Sequence, residues 1–331
     1  MVQTYNASAK ISSIRHLRLE ASSNCQLKCP SCPTASGEIQ KSIGGGFLSV
    51  ENFKKIVDDN PQIKSIELSN WGEIFLNPNI LDIMKYAHER EVTLTVTNGA
   101  NLNTVKEDVL EGIVKYGIRH ITCSIDGASQ ETYSIYRRNG DFNRVIENIK
   151  QIVAYKRQYN SEFPRLRWQF VVFGHNEHEI ETARQMVKDL GMDHFMPKLS
   201  WDEKFSPIQD QEAVYKAIGF DISEQNDFWI KNICTQLWTI PQVNWDGRVL
   251  GCCVNHWDDF GNAFEAGLET IVEGEKMDFA RQMLSGKAAA RDDIPCTRCW
   301  HYKSIKDQQN WITDEDVTKH RQQAGRNEYD L

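Results

Sequence analysis

The cysteines are the residues of this chain with the most evident capacity for chemistry. There are nine of them among 331 residues, and only Cys123 stands apart from the others. Clustered cysteines in a chain without a secretion signal are more often metal ligands or catalytic groups than disulfides. The other eight cysteines lie in three groups, and the sequence therefore predicts metal chemistry at these groups. These groups are Cys25, Cys29 and Cys32; Cys234, Cys252 and Cys253; and Cys296 and Cys299.

The first group has the spacing C-x3-C-x2-C and directly follows a predicted strand. Three thiolates are one short of the four that complete a [4Fe–4S] cluster, which leaves one iron with an open coordination position. A zinc knuckle and three buried structural thiols are the alternatives. Zinc sites are usually assembled from paired C-x2-C segments, and no second segment of this kind lies near Cys32. The spacing therefore favours an iron–sulfur cluster.

A second set of four cysteines has enough thiolates to ligate another [4Fe–4S] cluster completely. A structural zinc ion on the same thiols is the alternative. A fully ligated cluster cannot bind substrate, but it can pass or accept an electron. The Asp246-Gly247 pair predicts a hairpin turn that places Cys252 at the end of the return strand. The four predicted ligands are Cys234, Cys252, Cys296 and Cys299.

The elements that must position these cysteines alternate between strand and helix patterns from Ile14 to about residue 198. Six βα-like units with short connections predict an α/β fold with a parallel sheet, open or curled into a partial (βα)6 barrel. Active sites of such folds lie at the carboxyl ends of the strands. The predicted strands are Ile14–Ala21, Ile63–Ser69, Val92–Thr97, Ile118–Ile125, Leu166–Phe173 and Met192–Lys198. The predicted helices are Ser49–Asp59, Asn79–Arg90, Thr104–Tyr116, Phe142–Val153 and Glu177–Leu190.

The predicted domains are a partial barrel over residues 1–198, a bridge over 199–233, a small cysteine-bearing domain over 234–312 and a polar tail over 313–331. The bridge has little periodicity. The region after Cys234 is rich in Trp, Gly and Cys, and its regular elements are hard to predict. Small regions with a thin core are often held together by a metal. The tail is expected to be a surface helix or a frayed end.

The overall composition argues against several classes of function. Hydrophobic residues make up 40% of the chain, charged residues 25%, and the formal net charge is −8, which is typical of a soluble globular protein. An acidic chain without a block of Lys or Arg argues against nucleic acid as a partner. The polar start lacks a signal-peptide pattern, and no apolar window is long enough to span a membrane. We expect a cytoplasmic protein with no membrane partner.

The first cysteine group and the strand pattern around it resemble the radical S-adenosylmethionine (SAM) superfamily. The C-x3-C-x2-C loop after the first strand of a partial (βα)6 barrel is typical of that family, and the resemblance covers about residues 12–198. It implies that the open iron chelates SAM. One electron from the reduced cluster then cleaves SAM to methionine and a 5′-deoxyadenosyl radical, which abstracts hydrogen from an unactivated C–H bond. An external one-electron donor such as flavodoxin or ferredoxin is also implied.

The resemblance further implies a set of SAM-binding residues. Gly72 and Glu73 stand where the family has the segment that grips the SAM amino group, although Trp71 replaces the first Gly of that segment. Arg137 stands where an arginine pairs with the SAM carboxylate, and a guanidinium fork suits a carboxylate. The other implied contacts line the SAM pocket or hold the adenine. They are Asn98, Ser124, Asp126 and Asn176.

The C-terminal cysteines resemble the shortened form of the SPASM auxiliary domain, which is often called twitch. The layout is C-x12-G-x4-C followed by C-x2-C, and no cysteine follows Cys299, so one auxiliary [4Fe–4S] cluster is expected. Cys253 is left over once Cys252 is taken as a ligand. It is a small buried packing residue, a ligand in place of Cys252, or a catalytic hydrogen donor to a substrate radical.

Two reaction types fit a radical SAM enzyme with two clusters. In a dehydrogenation the substrate radical loses an electron to the auxiliary cluster, and in an epimerisation a protein hydrogen donor quenches the radical. Because the first predicted strand begins by about residue 14, no leader-binding domain is expected before it. We therefore expect a small polar substrate such as a sugar or cyclitol. A peptide-modifying maturase is the alternative, and a non-catalytic iron–sulfur or zinc module is the third hypothesis.

Overall fold

A computed structural model describes residues 10–202, 204–219 and 226–325, with the backbone only at 226–229, 324 and 325. The strands are β1 (His16–Leu19), β2 (Ser65–Glu67), β3 (Thr93–Ala100), β4 (His120–Ser124), β5 (Arg165–Val172), β6 (His194–Leu199) and β7 (Gln242–Val243). The helices as far as residue 218 are α1 (Glu38–Ile43), α2 (Val50–Asp59), α3 (Ile80–Glu89), α4 (Glu107–Lys115), α5 (Gln130–Tyr136), α6 (Phe142–Gln158), α7 (Ile180–Leu190) and α8 (Gln211–Ile218). The later helices are α9 (Asn226–Cys234), α10 (Gln236–Thr239), α11 (Ala263–Ala266), α12 (Leu268–Val272), α13 (Glu275–Leu284), α14 (Trp300–Asp307) and α15 (Asp314–Gly325). No helix in this described part is long and apolar enough to cross a membrane.

The described residues form two compact units, each built from separated stretches of chain. The larger unit comprises residues 21–47 and 68–219, and the smaller unit comprises residues 10–20, 48–67 and 226–325. The first cysteine group lies in the larger unit, and the second set lies in the smaller one. The domain boundaries predicted from the sequence stay a prediction.

The larger unit contains four parallel strands in the order β3-β4-β5-β6. Along β5 the side chains alternate between two environments. Leu166, Trp168, Phe170 and Val172 are fully buried, whereas Arg167 and Val171 on the opposite face are only partly buried. This alternation follows from the period of two in a strand, which places one set of side chains against the helices and leaves the other set free to line a site.

The smaller unit contains the parallel strands β2, β1 and β7, with β1 in the middle. Its helix α2 begins where the sequence predicts, because the Ser49 hydroxyl accepts a hydrogen bond of 3.1 Å from the Asn52 amide. Phe53, Ile56 and Val57 form the buried face of that helix. The antiparallel bridge between Val243 and Val249 confirms the predicted turn at Asp246-Gly247.

The predicted α/β class with parallel strands is confirmed, but the predicted end of the third strand is wrong. Asn98-Gly99 is not a turn: β3 continues to Ala100, and its register with β4 shifts between Val96 and Ala100. Gly99 has φ +120°, and a Cβ there would lie 2.4 Å from Ser124 Oγ. Glycine is therefore required by a bulge inside the strand rather than by a loop.

Helices also form in stretches where the sequence shows little periodicity. The predicted bridge contains helices α8 and α9, although its residues 203 and 220–225 lie outside the described residues. In the region after Cys234, where regular elements are hard to predict, the structure has strand β7 and the short helices α10 to α14. Part of the predicted tail forms helix α15, in which Val317 is buried, and residues 326–331 lie outside the described residues.

Candidate functional site

The loop that follows β1, here called the cluster loop (residues 22–34), gathers the first three cysteines. The Cys32 amide donates to the Cys29 carbonyl over 3.1 Å, which turns the chain between these two residues. Cys29 is only 5% exposed, and Cys25 and Cys32 are partly buried beside it. The three thiols thus share one hydrophobic cluster with Leu27, Tyr136, Phe173, Val171 and Phe205.

The spacing of the thiols bears on what they can bind. Within residues 10–202, 204–219 and 226–325, no three His, Cys, Asp or Glu side chains converge tightly enough to hold a single metal ion. A tetrahedral zinc ion needs every sulfur about 2.3 Å from one centre, whereas a [4Fe–4S] cluster holds each thiolate on its own iron, with the sulfurs farther apart. The three soft thiol donors of the cluster loop, gathered in one hydrophobic cluster, fit an iron–sulfur cluster.

The segment after residue 68 fixes the start of the cluster loop through Gly72. A Cβ at Gly72 would lie 2.1 Å from the Ser22 carbonyl oxygen, which is closer than any real side chain could approach. The next residue holds the same stretch, because the Glu73 amide donates to the Asn24 carbonyl over 2.8 Å. The Gly-Glu pair predicted to bind SAM thus also has a structural role, since it brings its backbone against the loop that carries Cys25.

The Glu73 carboxyl group is buried close to the cluster loop. Its oxygens accept hydrogen bonds from the backbone amides of Asn101, over 2.6 Å, and Phe75, over 3.2 Å. Burial raises the pKa of Glu73 to about 7, and the two amide hydrogen bonds oppose that rise. Burial also raises the pKa of the Cys25 thiol to about 12, with Glu73 as the next contributor. Glu73 therefore lies within electrostatic reach of a predicted cluster ligand.

Arg137 links a buried carboxylate to the cluster loop. Its Nε donates to Asp126 Oδ2 over 2.6 Å, and one terminal nitrogen lies 3.9 Å from Cys29 Sγ. Burial raises the pKa of the Cys29 thiol, and the guanidinium partly offsets that rise. The other oxygen of Asp126 accepts from the Val171 amide over 2.8 Å, so both partners are fixed in place. The structure thus brings Asp126 and Arg137 together beside the cysteines.

Other predicted SAM contacts lie in different surroundings. Asn176 is fully buried, and its amide group donates to the carbonyls of Asp126 and Val171 and accepts from Phe173 N. Asn176 therefore braces the backbone after β5, and its contact with adenine stays a prediction. Asn98 is exposed and donates to the Asn70 carbonyl over 3.1 Å. Ser124 is buried at the end of β4, next to Gly99.

Sequence reasoning missed a contact between the cluster loop and the predicted bridge. Ser31 Oγ donates to Asp202 Oδ2 over 2.5 Å. Phe205 packs into the hydrophobic cluster around the cysteines, and its ring lies 5.6 Å from that of Tyr136. Asp202 and Phe205 of the predicted bridge therefore help to fix the cluster loop. The bridge has no periodicity that could have signalled this role.

The smaller unit contains a cavity lined by Cys234, Cys252, Cys296 and Cys299 and by mainly apolar side chains. Burial raises the pKa of each of these thiols, and the neighbouring cysteines raise the pKa of Cys234 further. Mutual effects of this kind require the sulfurs to lie near one another. Four soft thiol donors around an apolar cavity fit an iron–sulfur cluster, whose binding releases the thiol protons.

Two side chains beside this cavity were not distinguished by the sequence. The Gln236 side chain contacts Cys253 at two places. Its Nε2 lies 3.4 Å from Cys253 Sγ, and its Oε1 accepts a hydrogen bond from the Cys253 amide over 2.8 Å. Cys253 itself is partly exposed and does not line the cavity. His301 is buried, with Nδ1 3.5 Å from Cys299 Sγ. Both contacts depend on side-chain packing that residue spacing does not reveal.

Two family models match this chain, one over each of the two sets of cysteines. The model of the radical SAM superfamily matches residues 19–187, and that of the SPASM iron–sulfur cluster-binding domain matches residues 234–300. A tungsten-containing aldehyde ferredoxin oxidoreductase cofactor-modifying protein from Pyrococcus furiosus is 22% identical, over 92% of this chain and 91% of that protein.

Two further relatives match this chain over only part of their own length. The antilisterial bacteriocin subtilosin biosynthesis protein AlbA from Bacillus subtilis is 28% identical, over 62% of this chain and 45% of AlbA. An AdoMet-dependent heme synthase from Methanosarcina barkeri is 26% identical, over 54% of this chain and 48% of that protein. The chain thus spans about half the length of these two relatives.

Solved structures share the fold at low sequence identity. SuiB from Streptococcus suis, bound to S-adenosylmethionine, has a TM-score of 0.62 at 14% identity and covers 88% of this chain and 72% of its own. Native anSMEcpe with bound AdoMet has a TM-score of 0.58 at 15% identity, and the match covers 87% of both chains.

Proposed function

Since the chain belongs to the radical SAM superfamily and carries an iron–sulfur cluster-binding SPASM domain, we propose that it abstracts a hydrogen atom from a small polar substrate. Its cofactors are SAM, the [4Fe–4S] cluster that binds SAM, and an auxiliary iron–sulfur cluster. When bound, the first cluster supplies the electron that cleaves SAM to methionine and a 5′-deoxyadenosyl radical. The remaining task of the protein is to place SAM and substrate and to exclude competing hydrogen donors.

The observation that carries this proposal is the set of charged groups around the cluster loop. The amino acid end of SAM has an ammonium and a carboxylate group, which need opposite charges at two places. Glu73 lies within electrostatic reach of Cys25, and Arg137 lies 3.9 Å from Cys29 Sγ. We assign Glu73 to the ammonium group and Arg137 to the carboxylate group. In this assignment Cys25, Cys29 and Cys32 hold the cluster.

Removing the charge of Glu73 or of Arg137 tests this assignment. Glu73→Gln and Arg137→Ala are each expected to weaken SAM binding at least about 30-fold, because a buried charge partner is lost. Iron content should stay unchanged, since neither residue is proposed as a ligand. Equilibrium binding of SAM to the reconstituted protein measures the affinity, and Glu89→Gln, an exposed glutamate at the end of α3, is the matched control. Unchanged SAM affinity in both variants would remove Glu73 and Arg137 from the SAM site.

The same assignment gives a pH dependence with a definite sign. Burial raises the pKa of Glu73 to about 7, so below this value the carboxyl group must lose a proton before it can pair with an ammonium group. SAM binding should therefore tighten as the pH rises towards about 7, with up to tenfold weaker binding for each unit below it. Glu73→Gln should remove this dependence, which separates the role of its charge from a general loss of structure.

The substrate class rests on the polar face of the sheet in the larger unit. Thr122 and Ser124 on β4 pair in register with Arg167 and Gln169 on β5, so these four polar residues share one face of the sheet. Such a surface favours a polar substrate, and we propose a small molecule of sugar or cyclitol type. A peptide is the second candidate, because AlbA is a bacteriocin biosynthesis protein and SuiB binds the precursor peptide SuiA. The external electron donor and the cytoplasmic location remain proposals.

The auxiliary cluster supports oxidation as one of two outcomes. In an oxidation the substrate would lose one hydrogen atom to the 5′-deoxyadenosyl radical and one proton to solvent, and the auxiliary cluster, when bound, would supply the acceptor for the remaining electron. In an epimerisation the substrate radical regains a hydrogen atom from a protein donor instead. We assign Cys234, Cys252, Cys296 and Cys299 as the auxiliary ligands, since these four line the cavity. Cys253 is then available as the donor.

The variant Cys253→Ala separates the two outcomes. If Cys253 donates hydrogen, the variant is expected to keep both clusters and the formation of 5′-deoxyadenosine but to lose product. The wild-type product should then contain deuterium when the reaction is run in deuterated water, and mass spectrometry measures both quantities. Full product from Cys253→Ala contradicts the donor role and leaves oxidation as the reaction. Loss of about four irons would instead make Cys253 a ligand.

A further inference from the structure

A fully buried arginine lies in the smaller unit, behind the cavity that the four cysteines line. Arg281 belongs to helix α13 and is 0% exposed to solvent. Its Nε and one terminal nitrogen donate to the Leu237 carbonyl over 3.2 and 2.7 Å. Its other terminal nitrogen donates to the Val272 carbonyl over 2.8 Å. Main-chain oxygens of α10 and α12 therefore fix the guanidinium in place.

These contacts give the Arg281 guanidinium acceptors but no negative partner. Among the described residues, no carboxylate lies within ion-pair distance of it, and the acids that act on it from farther away are Asp278 and Glu273. Asp278 accepts a hydrogen bond of 2.8 Å from Gln282 instead. Glu273 is exposed and accepts from the Ile11 amide over 2.7 Å. A buried cation without a carboxylate partner is costly unless another anion lies nearby.

The guanidinium of Arg281 lies one layer behind the wall of the cysteine cavity. Leu237, whose carbonyl accepts two of its hydrogen bonds, lines that cavity. Leu284 also lines it and follows Arg281 by three residues on the same face of α13. The described residues of the cavity wall include no lysine, arginine, aspartate or glutamate. Arg281 is therefore a fixed charge behind an otherwise uncharged wall.

The charge of Arg281 bears on how easily a cluster in this cavity is reduced. A cluster held by four thiolates is an anion, and reduction adds one further negative charge to it. A nearby cation stabilises the reduced form more than the oxidised form and so raises the reduction potential. Water and salt screen such an effect for exposed cations, which include Arg298 and Lys303 beside the ligands Cys296 and Cys299. Burial removes this screening from Arg281.

We infer that Arg281 is the buried counter-charge of the auxiliary cluster and makes that cluster a better electron acceptor. This inference rests on the proposed function, because it takes the auxiliary cluster as the acceptor in a substrate oxidation. In that step the substrate radical gives one proton to solvent and one electron to the cluster, whose charge becomes more negative by one. Arg281 acts through the cluster, so it is a positioning residue. Its charge favours oxidation over epimerisation, in which the substrate loses no electron overall.

A redox titration of the reconstituted holoenzyme, followed by electron paramagnetic resonance, tests this role without substrate. The signal that changes on addition of SAM belongs to the first cluster and serves as the internal reference. Arg281→Gln removes the charge but keeps a donor for the Leu237 carbonyl. At a fixed solution potential it should lower the ratio of reduced to oxidised auxiliary cluster about tenfold, which is about 59 mV for one electron. Arg281→Lys keeps the charge and should stay within about threefold of the wild type. Arg321→Gln, which replaces an exposed arginine on α15, is the matched control and should leave the ratio unchanged.

The outcomes separate a role of the charge from a role in bracing the helices. A ratio that is unchanged or higher in Arg281→Gln, or an equal shift in Arg281→Gln and Arg281→Lys, overturns the inference. Iron analysis covers variants that fail to hold the cluster. Loss of the auxiliary irons from Arg281→Gln alone supports a required counter-charge, whereas loss from both variants overturns the inference. A wild-type protein that lacks a second signal or forms no 5′-deoxyadenosine refutes the proposed function itself.

Discussion

The variant Cys29→Ala is expected to form no 5′-deoxyadenosine and to lose about four of about eight irons per chain. Cys29 is the most buried of the three thiols in the cluster loop and is a buried member of the hydrophobic cluster that the three share. The two remaining thiolates rarely hold a [4Fe–4S] cluster, so the iron that binds SAM is lost together with the cluster. Iron and sulfide analysis and a single-turnover assay with dithionite measure the two effects.

The matched control for this variant is Cys123→Ala. Cys123 is also a buried thiol of the larger unit, but it lies on β4 and belongs to neither proposed cluster. Its replacement should leave iron content and SAM cleavage close to the wild-type values. Cleavage at a near wild-type rate by Cys29→Ala would contradict the placement of the SAM-binding cluster on the cluster loop.

The second large effect is expected at the auxiliary cysteines. Cys296→Ala should disturb the auxiliary cluster and abolish substrate oxidation, while 5′-deoxyadenosine still forms in an uncoupled reaction. Cys296 lines the same cavity as Cys234 and Cys252, and three thiolates without a fourth ligand leave this second cluster incomplete. The smaller unit should also lose stability, because the metal there takes the place of part of a core.

Metal analysis and thermal unfolding of Cys296→Ala separate these effects. A lower unfolding temperature together with a lower iron content agrees with a structural and redox role of the auxiliary cluster. Zinc in place of iron in the wild-type protein would contradict the assignment, since four thiols can also hold a structural zinc ion. Wild-type turnover after loss of four irons would show that the auxiliary cluster takes no part in the reaction.

The strands of the larger unit could be predicted because their residue patterns are local. The sequence pattern of Leu166–Phe173 gives a strand that the structure places at Arg165–Val172. The Ser49 cap of α2 is equally local, since a serine hydroxyl needs only the amide three residues on. Cysteine spacing is of the same kind: it predicts that the three thiols of the cluster loop come together, and the structure packs them in one hydrophobic cluster.

Features that depend on distant parts of the chain could not be predicted. Asn98-Gly99 has the composition of a turn, but its bulge inside β3 depends on the close approach of Ser124 from the next strand. Strand β7 has two residues, which is too short for any pattern. The contact of Ser31 with Asp202 joins residues far apart in sequence. The residue types alone do not indicate that these two side chains meet.

The central claim is that the cluster loop binds a [4Fe–4S] cluster which cleaves SAM, and one measurement tests it most directly. The wild-type protein is reconstituted anaerobically with iron and sulfide, incubated with SAM and dithionite, and assayed for 5′-deoxyadenosine by liquid chromatography and mass spectrometry. We predict 5′-deoxyadenosine and methionine in equal amounts from protein that contains about eight irons per chain. No 5′-deoxyadenosine from protein with that iron content would contradict the claim.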